Sequence, residues 1–331
     1  MSDREISGLI HEVEERVLAD GMIDRHEAEL LMETPNDLVM RLLSAADRIR
    51  IHFKGNEFDA CNLINARSGA CAEDCAFCAQ SAHYGGEAQT YDLVPGDDIL
   101  KAAAAAKAQG ASRFCTVTSG GALSDREFES LTNTLRRVRT EVDIAVDASL
   151  GFLDQDRAQV LREVGVTRYN HNLETARDHF AKICTTHTFD ERVNTVKLVL
   201  EQGLSACCGG IIGMGETPRQ RLDLAYTLKD LGVDCVPINI LNPRPGTPLA
   251  GSAPLEPFEI LKTIALFRLI LPAATLKVAG GREINLHDFQ GMALRSGANG
   301  MIIGGYLTTS GRSLTDDLRM VACAGYTVAQ C

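Results

Sequence analysis

Three cysteines stand within eight residues, Cys71-Ala-Glu-Asp-Cys75-Ala-Phe-Cys78. Thiolates spaced this closely can hold a metal. Structural zinc generally takes four ligands, often as two separated Cys-x-x-Cys pairs, and the chain has no second pair. Three thiolates suit a cubane iron–sulfur cluster that keeps one iron open to a substrate or cofactor. The chain holds 11 cysteines, an odd number, and its N-terminus, MSDREISGLIHEVEERV, has no signal-peptide core. Both facts argue against a disulfide scaffold and favour metal binding or catalysis in the cytoplasm.

A second set of residues lies further along. Cys115 sits in Arg113-Phe-Cys115-Thr-Val-Thr118, Cys207 in Ala206-Cys207-Cys208-Gly209-Gly210, and Arg282 follows Gly280-Gly281. Adjacent Cys207 and Cys208 must point to opposite faces of a strand, so at most one faces an interior through the regular pleat. Cys61, Cys184, Cys235, Cys323 and Cys331 read as small buried hydrophobes. Asn170, Asn172 and Glu174 alternate along YNHNLE and share one strand face. Asn239 lies among apolar residues, where a buried amide needs partners. His83, His171 and His187 read as hydrogen-bonded loop or core residues.

These residues need a scaffold to bring them together. Residues 1–50 read as helices, with Leu9, Ile10, Val13 and Val17 at three- and four-residue steps. Eight strands are expected, at 59–64, 113–118, 143–149, 168–173, 205–212, 235–241, 275–280 and 300–305. Helices are expected near 96–110, 124–139, 154–164, 190–203, 218–232, 256–270, 285–296 and 314–324. Ser124 with Glu127, Asp154, and Thr217 before Pro218 mark helix starts. Eight strands alternating with helices give an α/β fold, a (β/α)8 TIM-type barrel with an N-terminal helical extension. The division is 1–50 for the extension and 51–331 for the barrel. The cysteine loop follows the first strand, where barrel chemistry gathers. A net charge of −11 argues against a nucleic-acid binder, and no apolar run is long enough for a membrane span.

The three-then-two cysteine spacing resembles the radical S-adenosylmethionine (SAM) signature. Over residues 40 to 328 the chain is similar to the biotin synthase family within that superfamily. The matching stretches are CAEDCAFCAQSAHY at 71–84, TRYNHNLETA at 167–176, CTTHTFDERVNT at 184–195 and CCGGIIGMGETPRQR at 207–221. VPINILNPRPGTPL at 236–249, AGGRE at 279–283 and GANGMIIGGYLTT at 297–309 also match. The resemblance implies a barrel that converts dethiobiotin to biotin by inserting sulfur between two unactivated carbons. It implies a [4Fe–4S] cluster on Cys71, Cys75 and Cys78 that binds SAM and releases a hydrogen-abstracting 5′-deoxyadenosyl radical. It further implies an auxiliary [2Fe–2S] or related cluster with Cys115, Cys207 and Arg282 among its ligands. Asn172, Glu174, Arg192, Gly209, Ile211, Gly213 and Glu216 are the implied SAM-binding residues. Asn170, Asn239, Thr308 and Thr309 are the implied substrate contacts. A flavodoxin- or ferredoxin-type electron donor and a homodimer complete the expectation.

One position departs from the family pattern. Asp147, in Val146-Asp147-Ala148-Ser149-Leu150-Gly151, stands where the family usually has a cysteine. Its carboxylate is expected to point inward and either ligate iron or pair with Arg282, since a lone buried carboxylate carries a large desolvation penalty. The departure keeps two other readings open. One is a related radical SAM mutase or maturase without sulfur insertion, and the other a non-catalytic iron–sulfur protein.

Overall fold

The computed structural model describes residues 1–307 and 311–328. Eight parallel strand positions close into a barrel: β1 (Glu57–Arg67), β2 (Arg113–Thr118), β3 (Ala145–Ser149), β4 (Val166–Asn170), the pair β5 (Ser205–Cys207) and β6 (Gly210–Ile212), β7 (Cys235–Ile240), β8 (Thr275–Val278) and β9 (Gly300–Ile302). Pairing of β9 back onto β1 completes the ring. The α/β barrel expected from the alternation is therefore present. A further two-residue strand, β10 (Thr327–Val328), pairs with Glu57 and Phe58 and has no counterpart in the sequence reading.

The fifth strand, expected as one run, is split for a local reason. Cys207 lies opposite Cys235 and Gly210 opposite Ile238, so Gly209 falls opposite Pro237. Proline has no N–H to give the ladder. The chains also approach closely there, and a Cβ on Gly209 would lie 1.9 Å from the Pro237 carbonyl oxygen. Helix starts follow their caps. Ser124 and Glu127 form a reciprocal capping box, Asp154 accepts from Arg157 N–H, and Pro218 opens its helix behind Thr217. Three helices, Asp3–Leu18, Arg25–Met32 and Val39–Lys54, precede β1 and bury Ile10, Leu31, Leu42 and Ile49 in the main hydrophobic core.

Strand alternation stacks the inward side chains in layers. The lowest holds Asp59, Arg113, Asp147, Arg168 and Lys277. The Lys277 ammonium and Arg168 guanidinium each lie 2.7 Å from Asp59, and Arg113 Nε donates to Asp147 at 3.0 Å. Gly300 leaves room for the lysine stem, since a Cβ there would meet Lys277 Cγ at 2.9 Å. Burial opposes the Asp59 charge, but Lys277 and Arg168 outweigh it and hold the carboxyl well below its ordinary value of 3.8. A depressed folded value means this stabilisation is complete above pH 3.8 and is lost as pH falls below it. Asp59→Asn should therefore be less stable than wild type at neutral pH. The gap should narrow on acidification below about pH 4. Urea melts at a series of pH values check this, and a gap independent of pH overturns it.

Candidate active site

β1 delivers the chain into a loop, residues 68–95, before the helix Gly96–Ala108. The cysteine loop closes on itself: Cys71 N–H donates to the Gln80 carbonyl, Ala82 N–H to the Cys71 carbonyl, and Cys78 N–H to the Cys75 carbonyl, at 3.1, 2.7 and 2.9 Å. Cys78 faces a cavity of about 290 Å³ inside the barrel mouth. The side chains of Cys71 and Cys75 lie in the loop beside it. Burial pushes the Cys78 thiol up to about 11, and hydrogen bonding to Cys184 together with burial raises Cys75 further. Metal binding there must displace protons.

Arg192 reaches the loop from the helix Phe189–Glu201. Its Nε donates to His187 at 2.8 Å, its Nη1 to the Asn172 carbonyl at 2.9 Å and to Glu174 at 3.4 Å, and its Nη2 lies 4.0 Å from Cys75 Sγ. Glu174 is strained, a non-glycine residue at φ 69°. Burial raises its carboxyl above the ordinary range against the pull of Arg192, and its Oε2 has no partner among the described residues. Asn172, Glu174 and Ile211 line the cavity. Asn172 Oδ1 accepts from Gly209 N–H. Gly209, Gly213 and Glu216 do not line it. Glu216 instead takes Gly213 and Met214 N–H at 2.7 Å each and Arg221 Nε at 2.6 Å, so its carboxylate shapes the turn.

Deeper in the cavity stand Cys61, Cys115, Cys207, Asn170, Asn239 and Lys277. Cys207 faces the lumen and Cys208 packs into the apolar core, as alternation predicts. Burial pushes the Cys61 thiol up to about 12 and Cys115 well above the ordinary range. Asn170 Nδ2 lies 3.3 Å from Cys115 Sγ, and its Oδ1 has no partner among the described residues. The partners expected for Asn239 from a ligand are supplied by the protein: its Nδ2 donates to the Gly210 carbonyl, and its Oδ1 accepts from Gly280 N–H and Tyr306 O–H. Thr308 and Thr309 lie outside the described residues.

Two expected positions differ from the geometry. β8 ends at Val278, Gly281 turns the chain at φ 81°, and Arg282 begins a short helix. Its guanidinium pairs with Asp317 at 2.7 Å and with Glu283 at 3.0 Å and donates to Gln290, so it does not line the cavity. Asp147 points inward, but its carboxylate is held by Arg113 and lies 4.0 Å from Arg168, not beside Arg282. Sequence reasoning also passed over Asp59, Cys61, Cys235 and Lys277. Strand alternation is the signal that finds them, because each shares parity with a lumen-facing neighbour. Cys75, Cys184 and His187 form a further cluster with potential ligand atoms within 4.8 Å of one another.

Fold and thiol loop together define a radical SAM barrel enzyme. The family models agree: the radical SAM superfamily matches residues 66–228, and the biotin and thiamin synthesis associated domain matches 237–327. The chain is 48% identical over 314 residues to a biotin synthase of Pelotomaculum thermopropionicum, covering 95% of this chain and 98% of that one. It is 46% identical to one of Citrifermentans bemidjiense, covering 98% of both chains, and 47% identical to one of Geobacter sulfurreducens, covering 96% of both. The chain belongs to the biotin synthase family. Among solved structures, methylornithine synthase superposes with a TM-score of 0.84 at 20% identity, covering 96% of this chain and 97% of that one. The FeFe-hydrogenase maturase of Carboxydothermus hydrogenoformans gives 0.83 at 18% identity, covering 99% and 80%. At those identities the likeness shows the fold. Superfamily membership implies a [4Fe–4S] cluster and SAM, and the residues present fit them: three thiols in one loop, an open cavity beside it and an unpartnered buried carboxylate oxygen on Glu174. Among the described residues no helix is long and apolar enough to cross a membrane.

Proposed function

We propose that this chain converts dethiobiotin to biotin, with Cys71, Cys75 and Cys78 holding the SAM cluster at the cavity mouth. Near-full-length similarity to biotin synthases carries the reading, and the cavity joining the thiol loop to a cysteine-lined floor supports it. Bound there, the cluster and SAM would supply a radical able to take hydrogen from an unactivated carbon. The protein's part is placement and exclusion of water. Glu174 Oε2 and Asn172 would receive donors of SAM, and Arg192 would stand against its carboxylate. Ile211 would cover the adenine, on a turn whose backbone Gly209, Gly213 and Glu216 set. Asn170 Oδ1, with no donor among the described residues, would accept from a ureido N–H. Arg244 lines the cavity with a buried Nε that has no partner among the described residues, which favours an anionic partner such as the dethiobiotin carboxylate. Thr308 and Thr309 are retained as substrate contacts through the family resemblance.

An auxiliary iron–sulfur cluster on the floor would serve as sulfur source. The same reading gives a flavodoxin- or ferredoxin-type electron donor, a homodimer and a cytoplasmic setting, and divides the chain into a helical extension, 1–50, and a barrel, 51–331. The test is anaerobic reconstitution with iron and sulfide, then incubation with SAM, dethiobiotin and dithionite. Biotin together with 5′-deoxyadenosine is expected. 5′-Deoxyadenosine without biotin would point to a radical SAM enzyme of another reaction.

Glu174→Gln gives a narrower check. Losing one charge-assisted hydrogen bond costs about 1.5–3 kcal/mol, on the order of ten- to a hundred-fold. The expected change is in the KM for SAM, with the yield of 5′-deoxyadenosine per turnover unchanged. An unaltered KM removes Glu174 from the SAM site.

A further inference from the structure

The auxiliary cluster needs ligands, and two of the expected ones are engaged elsewhere. The Asp147 carboxylate is held by Arg113 and flanked by Arg168, and Arg282 is buried against Asp317 outside the cavity lining. The floor itself is rich in sulfur. Cys61 and Cys115 lie on neighbouring strands, where Cys61 is opposite Arg113 and Leu63 opposite Cys115, so the two thiols are diagonal neighbours on the inner face. Cys207 and Cys235 lie directly opposite each other, with their sulfurs 3.4 Å apart. That separation is close to the roughly 3.8 Å edge of a tetrahedral site with metal–sulfur bonds of about 2.3 Å.

We propose that the auxiliary iron–sulfur centre of this chain is held by four thiolates, Cys61, Cys115, Cys207 and Cys235, over a cationic floor. Cys61, Cys115 and Cys207 line the cavity, and Cys235 lies behind Cys207 with its sulfur 3.4 Å away; all four side chains are buried, and four cysteines are a complete ligand set for such a centre. Charge supports the assignment. Arg113, Arg168 and Lys277 face only Asp59 and Asp147 in the layer beneath, leaving one positive charge in excess. Lys54 lies within electrostatic reach of Arg168 and of Asp234 at the edge of this layer. A buried surplus cation calls for an anion, and a centre carrying four thiolates supplies one. Each Sγ–H gives its proton to solvent as its Fe–S bond forms, with no change in the oxidation state of the sulfur. Asp147 then acts as counter-ion to Arg113, which accounts for a carboxylate where the family usually has a thiol.

The proposal rests on the biotin synthase reading, so its test keeps the two apart. The background variant Cys71→Ala/Cys75→Ala/Cys78→Ala removes the SAM cluster. Iron, acid-labile sulfide and the Mössbauer spectrum are then measured after anaerobic reconstitution. The background should keep one iron–sulfur centre. Adding Cys61→Ala or Cys235→Ala should lower its iron and sulfide at least five-fold, whereas Asp147→Asn or Arg282→Gln should leave them unchanged. Cys235→Ser covers the case of an unfolded alanine variant, because oxygen ligation should retain iron and shift the charge-transfer absorption. Three results overturn the proposal: full iron with an unshifted spectrum in the Cys61 and Cys235 variants, iron loss in Asp147→Asn, or a Cys207–Cys235 disulfide in anaerobically isolated protein. Biotin formation is scored separately on the wild-type chain. Biotin made with full iron in both alanine variants sinks the ligand assignment alone, and no biotin from a fully loaded wild type sinks the enzymatic reading alone.

Discussion

Alanine at any one of Cys71, Cys75 or Cys78 is expected to lower reductive SAM cleavage by at least roughly 10³-fold, about 4 kcal/mol of barrier. A cluster with one iron open to SAM needs its other three irons anchored, and the loop offers one thiol for each. The competing possibility is the cluster of Cys75, Cys184 and His187, whose ligand atoms lie within 4.8 Å of one another. His187 has no nitrogen to spare for it. Its Nδ1 lies 2.6 Å from Glu73, and its Nε2 accepts from Arg192 at 2.8 Å. Cys184 is engaged in turn by Asp74 and Thr186 at 3.1 and 3.4 Å. Cys184→Ala should therefore retain the cluster and measurable 5′-deoxyadenosine production. Full 5′-deoxyadenosine output from the three loop variants, or loss of cluster iron in Cys184→Ala but not in Cys71→Ala, would move the cluster off the loop.

The contrast between these two groups of cysteines explains what the sequence could and could not convey. Cys71, Cys75 and Cys78 are local, so spacing alone exposes them. Cys61, Cys115, Cys207 and Cys235 come from four strands, and only barrel closure brings them together. The strand positions were readable because apolar runs alternate with capped helices, and alternation correctly turned Cys207 inward and Cys208 outward. It would also have turned Cys61, Cys235 and Lys277 inward, but an isolated cysteine in an apolar strand looks like any small buried residue. A lone lysine in Thr275–Val278 was the stronger signal, since a buried ammonium needs a partner, here Asp59. Arg282 misled for the opposite reason. GGRE is a conspicuous match, yet the left-handed Gly281 sends the arginine off the strand axis, and sequence spacing does not reveal such a turn.

The position of Arg282 has a consequence that can be measured without any metal. Its side chain is 2% exposed and that of Asp317 is wholly buried, and the same Asp317 oxygen also accepts from Gly304 N–H at 2.9 Å. The pair ties the turn after β8 to the helix Leu314–Cys323 and to the chain leaving β9. Removing Arg282 leaves the wholly buried Asp317 with only the half-exposed Arg312, 3.7 Å away, as a cationic partner, and breaking a buried pair costs about 3–5 kcal/mol. Arg282→Ala should therefore lower the melting temperature of the metal-free protein, by on the order of 10 °C. Asp317→Ala should lower it too, but by less, because Arg282 keeps Glu283 at 3.0 Å. The double variant should cost less than the sum of the two, because neither charge is then left alone. A residue serving only as a cluster ligand would behave otherwise: the metal-free melts would coincide with wild type, and the effect would appear only on iron loading. Arg282→Lys sharpens the distinction. It keeps the charge but loses the planar fork that reaches Asp317 and Gln290 together, so it should recover part of the lost stability and not all of it.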